Sequence, residues 1–154
     1  MKNKGNRYLI IILVLCVVAF IVHFFAAVSP ELAGAYEVVR VVDGDTLIVK
    51  MGDSEKYVRL IGVNAPESVH PDETKNTPEG VAASNYLKEL LPQGSLVYLE
   101  YDVDRYDSYE RTLAYVYLED KETMVNLLLL ENGYAELMTV PPNTKYEARF
   151  LSVK

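Results

Sequence analysis

The sequence predicts an α+β domain, mainly β, folded as a small closed Greek-key barrel of five strands with about three helices. A hydrophobic signal or anchor helix precedes it. Three observations predict this arrangement. From Tyr36 onward, apolar residues recur at two-residue spacing in short runs separated by turn signals. One stretch of helical spacing falls between the third and fourth runs, which suits a closed Greek-key barrel. Tyr8 to Val28 form 21 consecutive residues without a formal charge.

That apolar run follows Lys2, Lys4 and Arg7, and its length suits a membrane-spanning helix of about 20 residues better than a signal core of about 7 to 15. The basic head stays cytoplasmic, so the remainder is expected to be extracytoplasmic. Ala33-Gly34-Ala35 reads as a small-x-small cleavage site, which leaves membrane-anchored and secreted forms both open. The expected division is residues 1–35 as signal peptide or anchor and residues 36–154 as the folded domain. Residues 8–28 would contact a membrane if they are not removed.

Strands are expected near Glu37 to Val42, Thr46 to Met51 and Tyr57 to Ile61, with Gly52-Asp53-Ser54 as the turn between the last two. His70 to Thr77 is polar, contains Pro71 and reads as an exposed loop. Thr77-Pro78-Glu79 is a helix start, with Thr as the cap, Pro at the first position and Glu near the positive end. Val81, Ala82, Tyr86, Leu87, Leu90 and Leu91 continue that helix until Pro92 and Gly94 end it. Ser95 to Tyr101 and Thr112 to Leu118 read as two further strands, joined by an acidic stretch from Asp102 to Arg111. Val125 to Glu131 is a short helix stopped by Asn132-Gly133. Tyr146 to Lys154 begins a last helix, capped by Asn143 or Thr144.

Composition removes several kinds of chemistry. The only cysteine, Cys16, lies in the apolar run, and the two histidines are His23 in that run and His70 beside a proline. A disulfide framework, a thiol nucleophile and a Cys- or His-based zinc site are therefore excluded for the folded domain. Net charge is −7, and residues 36–154 hold 12 basic against 21 acidic residues. Such a domain gains little non-specific affinity for a phosphate backbone outside a local basic cleft.

Val41 to Glu67 carries the densest functional signal. Asp43-Gly44-Asp45 lies between two β-branched runs, and the residues alone read as a turn in which Gly44 is free to take positive φ. A second strand end, Asn64-Ala65-Pro66-Glu67, breaks ladder pairing at Pro66 and exposes polar groups. Two strand ends bearing oxygen ligands can converge on one cation. Taken singly, Arg59 also reads as an exposed strand residue, Glu67 as a surface carboxylate, and Arg111 as a loop charge paired with Asp107 or Glu110.

These residues resemble the staphylococcal nuclease (thermonuclease) family, whose pattern is Asp-Gly-Asp-Thr followed by Arg-Leu-x-x-Val-Asp-x-Pro-Glu. Asp107-Ser-Tyr109-Glu110-Arg111-Thr-Leu-Ala-Tyr is similar to a second family segment, and Met124-Val-Asn126 through Asn132-Gly133 to a third. Three ordered motifs cover the chain from about Tyr36 to its end. The resemblance implies a barrel of the oligonucleotide-binding (OB) type. It implies calcium held by Asp45, the Asn64 side-chain oxygen and the Ala65 carbonyl, with Asp43 behind them. Arg59 and Arg111 are carried over as phosphate clamps, Glu67 as the group that activates or positions water, and Asp107 and Tyr109 as residues around the bound nucleotide.

Two positions depart from the family. Asn64 stands where Asp is usual, which removes a ligand charge, and Glu110 stands where Gly is usual, directly before Arg111. The last helix is also expected to be shorter than the family's. The expected function is an extracytoplasmic, calcium-dependent endonuclease that cleaves DNA and RNA with little sequence preference and leaves 3′-phosphates. The alternative is a membrane-tethered OB module that binds nucleic acid after Asn64 and Glu110 have cost it the chemistry. No obligate protein partner is inferred.

Overall fold

The computed structural model describes residues 4–26 and 31–153, and within the first span it describes side-chain surroundings for Tyr8 and residues 10–20. The chain divides into two compact units, Met1–Glu31 and Leu32–Lys154. The first contains helix α1, Lys4–Ala26. The apolar run of residues 8–28 lies partly outside the described residues. Among those described, no helix is long and apolar enough to cross a membrane.

In the second unit, β1 (Ala33–Asp43), β2 (Thr46–Met51), β3 (Ser54–Leu60), β5 (Leu96–Glu100) and β6 (Thr112–Tyr117) form a closed barrel in the order β1-β2-β3-β6-β5. Only β3 and β6 pair in parallel, so the last barrel strand returns beside the third, as expected for the OB type. Closure depends on β1, whose register shifts between Val38 and Arg40 and between Val41 and Asp43. Bulges there bend the strand, so its early residues Ala33 to Glu37 pair with β5 while Glu37 to Asp43 pair with β2. The strand reaches upstream of Tyr36, and Ala33-Gly34-Ala35 lie within it. Ser54 likewise belongs to β3 and not to the preceding turn.

Alternating side chains of these strands, among them Val38, Leu47, Val49, Val58, Leu60, Val97, Leu99 and Val116, fill the interior. Helix α2 (Pro78–Leu90) starts as the sequence predicts, with the Thr77 hydroxyl accepting from the Gly80 amide, and it buries Gly80, Ala83, Ser84 and Leu87 at helical spacing. Helix α3 (Val125–Glu131) matches its expected bounds. Its fully buried Asn126 donates to the carbonyls of Ile61 and Ala114 and accepts from the Val116 amide, which ties the residue after β3 to the middle of β6.

Three further features differ from the sequence reading. A two-stranded sheet of β4 (Gly62–Asn64) and β7 (Glu136–Met138) was not expected. Within the polar loop, Glu73–Lys75 form a single 3-10 turn capped by Asp72. The last helix, α4, spans Glu147–Leu151 with Tyr146 at its cap position, and neither Asn143 nor Thr144 caps it. Asn143 instead is buried and exchanges two hydrogen bonds with the backbone of Asp104.

Candidate active site

The turn from β1 to β2 brings two carboxylates to one end of the barrel. Asp43 Oδ1 accepts from its neighbour's amide, Gly44 N, at 2.8 Å and from the Ser68 hydroxyl at 2.5 Å. Buried Asp45 accepts from the Thr46 hydroxyl through Oδ1 at 3.0 Å and from the Ala65 amide through Oδ2 at 2.9 Å. The turn is therefore tied to the segment after β4 at two points. Gly44 does not take positive φ, contrary to the sequence reading. A side chain there would meet the Cβ atoms of Ala65 at 2.6 Å and Ala83 at 2.8 Å, so glycine is needed for close approach of the turn to that segment and to α2.

Arg59 is buried, not an exposed strand residue. Its Nη1 donates to the carbonyls of Leu60 and Val63 at 2.7 and 2.8 Å, and its Nη2 lies 3.1 Å from Asp45 Oδ2 and 3.3 Å from Asn64 Oδ1. Burial pulls the pKa of Arg59 below its ordinary value, while Asp45 pushes it back up and Arg111 adds to the fall. Both of its terminal nitrogens are thus engaged, and Arg59 is held as a fixed positive charge at the edge of the carboxylate turn.

Arg111 is held more loosely. Its Nε donates to Asp107 Oδ2 at 2.6 Å and its backbone amide to Asp107 Oδ1 at 2.9 Å, and its two terminal nitrogens make no hydrogen bond or ion pair among the described residues. Burial would raise the pKa of Asp107, but the hydrogen bonds from Arg111 and Tyr109 outweigh it and hold the carboxyl below its ordinary value. Glu110 has φ 61°, a strained conformation for a non-glycine residue, yet Arg111 is paired with Asp107 and not with Glu110.

The two arginines line one open cleft of about 400 Å³. Its other walls include Asp107, Tyr106, Ser108, Met138, Val140, Pro141 and Pro142. This mixture of guanidinium charge and apolar or aromatic surface suits a phosphate that carries a flat base. Tyr109 does not line the cleft: the residue is 79% exposed, and the Arg111 guanidinium sits over its ring at 5.4 Å. The β4–β7 sheet, opaque in the sequence, builds part of the wall by pairing Met138 with Gly62.

Glu67 is exposed, and its carboxylate has no hydrogen bond or ion pair among the described residues. Its carbonyl accepts from the Thr77 amide at 2.9 Å. A Cβ on Gly80 would fall 2.1 Å from that same carbonyl oxygen, so the Glu67 backbone rests directly on the first turn of α2. His70 stays in the loop, where its Nδ1 accepts from the Asp72 amide and its backbone exchanges two bonds with the Asn76 side chain.

Among the described residues no cluster of three or more His, Cys, Asp or Glu could hold a metal ion. The available donors are one buried carboxylate, Asp45, the amide oxygen of Asn64 and the carbonyl of Ala65. Asp45 Oδ2 and Asn64 Oδ1 both reach the same Arg59 nitrogen, so two oxygens already converge on one cationic atom. An all-oxygen set of this kind suits a hard cation, at low ligand charge.

The model of a family described as "Staphylococcal nuclease homologue" matches residues 57–154. A thermonuclease of Staphylococcus intermedius is 42% identical over 144 residues, which cover 89% of this chain and 83% of that protein. A thermonuclease of Staphylococcus hyicus is 39% identical over 148 residues, 91% of this chain and 85% of that protein. Endonuclease YncB of Bacillus subtilis (strain 168) is 42% identical over 113 residues, 72% of this chain and 52% of that protein.

Proposed function

The chain belongs to the staphylococcal nuclease family, and from that premise we propose that it is a calcium-dependent phosphodiesterase that cleaves DNA and RNA internally with little sequence preference, leaving 3′-phosphates. The observation that carries the reading is the pair of arginines, Arg59 and Arg111, lining one open cleft, with Arg59 also in contact with Asp45 of the β1–β2 turn. Calcium would be held by Asp45, Asn64 and Ala65, and when bound it supplies a positive centre that lowers the pKa of water and offsets phosphate charge.

The protein's own groups have separate tasks. Arg59, fixed by two carbonyls and Asp45, contributes an oriented positive field at the phosphate without having to reorganise. Arg111 keeps its terminal nitrogens for two phosphoryl oxygens, and Asp107 aims it through Nε. Glu67 is free to accept a proton from attacking water or to orient it. Base recognition falls to the apolar wall and Tyr106, surfaces that do not distinguish one base edge from another.

Lys2, Lys4 and Arg7 ahead of the apolar run support an outward-facing domain, membrane-anchored or secreted, with residues 1–35 as anchor or signal and 36–154 as the nuclease. Added protease should reach it in intact cells. Protection until lysis would reverse the topology.

The activity test uses purified full-length chain, single-stranded DNA and RNA, and calcium against a chelator. Calcium-dependent cleavage should appear, and Arg111→Ala and Glu67→Ala should each lower kcat by about 10²- to 10³-fold with the far-UV spectrum unchanged. Asn64→Asp should lower the calcium concentration that half-saturates thermal stabilisation, because a ligand charge is restored. DNA binding without cleavage, persisting in Asn64→Asp/Glu110→Gly, would replace the enzyme with the membrane-tethered binding module.

A further inference from the structure

The segment that carries Glu67 is fastened on both sides to the two aspartates of one turn. The Ala65 amide donates to Asp45 Oδ2, and the Ser68 hydroxyl donates to Asp43 Oδ1, so residues 65 and 68 are each tied to one carboxylate, with Pro66 and Glu67 between them. Asp43 is itself fixed. It pairs with Thr46 across the β1–β2 ladder, and its Oδ1 also accepts from Gly44 N. The Thr77 amide holds the Glu67 carbonyl from the opposite side. Glu67 itself makes no side-chain bond among the described residues, so only its backbone fixes where the carboxylate can reach.

We propose that Ser68 is a positioning residue for Glu67, acting through its hydrogen bond to Asp43. Asp43 then serves first as the anchor of the Glu67 segment, whatever it adds to the field around Asp45. Without the Ser68 hydroxyl the segment stays tied through Ala65 and Thr77, and the barrel keeps its core, but the stretch between those ties can swing. An exposed carboxylate gains rotamers and spends less time in line with the phosphate. Sequence reading missed Ser68 because a serine after Pro-Glu in a polar loop looks like any solvated loop residue.

The proposal rests on Glu67 acting on water as argued above, and the experiment separates the two ideas. Ser68→Ala, Ser68→Thr, Glu67→Gln and the double variant Ser68→Ala/Glu67→Gln would be made in the full-length chain. Calcium-dependent cleavage of single-stranded DNA and the thermal unfolding midpoint would be measured for each. Ser68→Ala should lower kcat about 10- to 100-fold with KM nearly unchanged. Ser68→Thr, which keeps the hydroxyl, should recover most of it. In the Glu67→Gln background Ser68→Ala should have no further effect, since it acts only through that carboxylate. An equal loss in both backgrounds, a rise in KM alone, or a loss that follows the unfolding midpoint and is not rescued by threonine overturns the positioning role. Full activity in Glu67→Gln would instead remove Glu67 from the reaction, and the positioning role with it.

Discussion

At the scale of single residues, Glu110 is the position where the sequence works against its own backbone. At φ 61° a non-glycine residue crowds its Cβ against the following carbonyl, at a cost of about 1 kcal/mol or more. The strain sits one residue before Arg111, between the hydrogen bonds from Tyr109 N and Arg111 N to Asp107. Glu110→Gly should therefore raise the unfolding free energy by only about 0.5–1 kcal/mol, because the greater freedom that glycine gives the unfolded chain offsets part of the relieved strain. Urea titration at neutral pH measures it. A loss of stability on substitution would mean that the glutamate makes a compensating contact.

The need for positive φ at 110 could be anticipated because a family pattern places glycine there. The role of Gly44 was misread because glycine between two aspartates has two physical uses, a left-handed turn or close approach of backbone, and only the positions of Ala65 and Ala83 choose between them. The charged side chains proposed for the site could be named from the sequence. Their division of labour was not, since nothing in the order of residues tells that Arg59 spends both terminal nitrogens on the protein while Arg111 keeps its own.

At the scale of elements, the site is a set of strand ends held together by α2 and by the short β4–β7 sheet. The barrel strands and the cap of α2 were legible because each has five or more residues of regular pattern or a strong local signal such as Thr77-Pro78. Gly62–Asn64 and Glu136–Met138 have three residues each, too few to show a period, and they pair only because distant chain folds back. Contact between α2 and Glu67 was equally hidden, since it depends on the absence of a side chain at Gly80. With a Cβ 2.1 Å from the Glu67 carbonyl oxygen, Gly80→Ala must push the segment off the helix. The expected result is a loss of about 1–3 kcal/mol of stability and a fall in kcat larger than that of Thr77→Ala, which loses the cap but leaves the contact space open. Equal kcat in the two variants would show that the helix does not set the place of Glu67.

At the scale of the whole folded unit, the tyrosines set its alkaline limit. Burial and then Asp102 raise the pKa of Tyr115, whose hydroxyl donates to Asp102 Oδ2 at 2.9 Å. Burial, then Tyr146 and Glu100, raise that of Tyr117. Burial also raises that of Tyr146, and its hydroxyl and that of Tyr117 both donate to Oε2 of buried Glu100. Burial pushes Tyr101 up to about 12. Lys145, paired with Glu100 Oε1, is raised by that bond. All five groups bind their protons more tightly in the folded state than in the unfolded one. Their contribution is therefore fully present below the unfolded values of about 10 for tyrosine and about 10.4 for lysine, and is lost as pH rises through the folded values. Because Lys145 and Tyr146 join α4 and the cleft-side chain before it to β5 and β6, the loss should be cooperative rather than a fraying of one end. Urea midpoints should hold level from about pH 7 to 9 and fall steeply above about pH 10. Absorbance near 295 nm should show part of the tyrosines ionising only with unfolding. All twelve tyrosines titrating near pH 10 in the folded chain, with an unchanged urea midpoint, would mean that the buried hydroxyl network does not hold the barrel to its C-terminal segment.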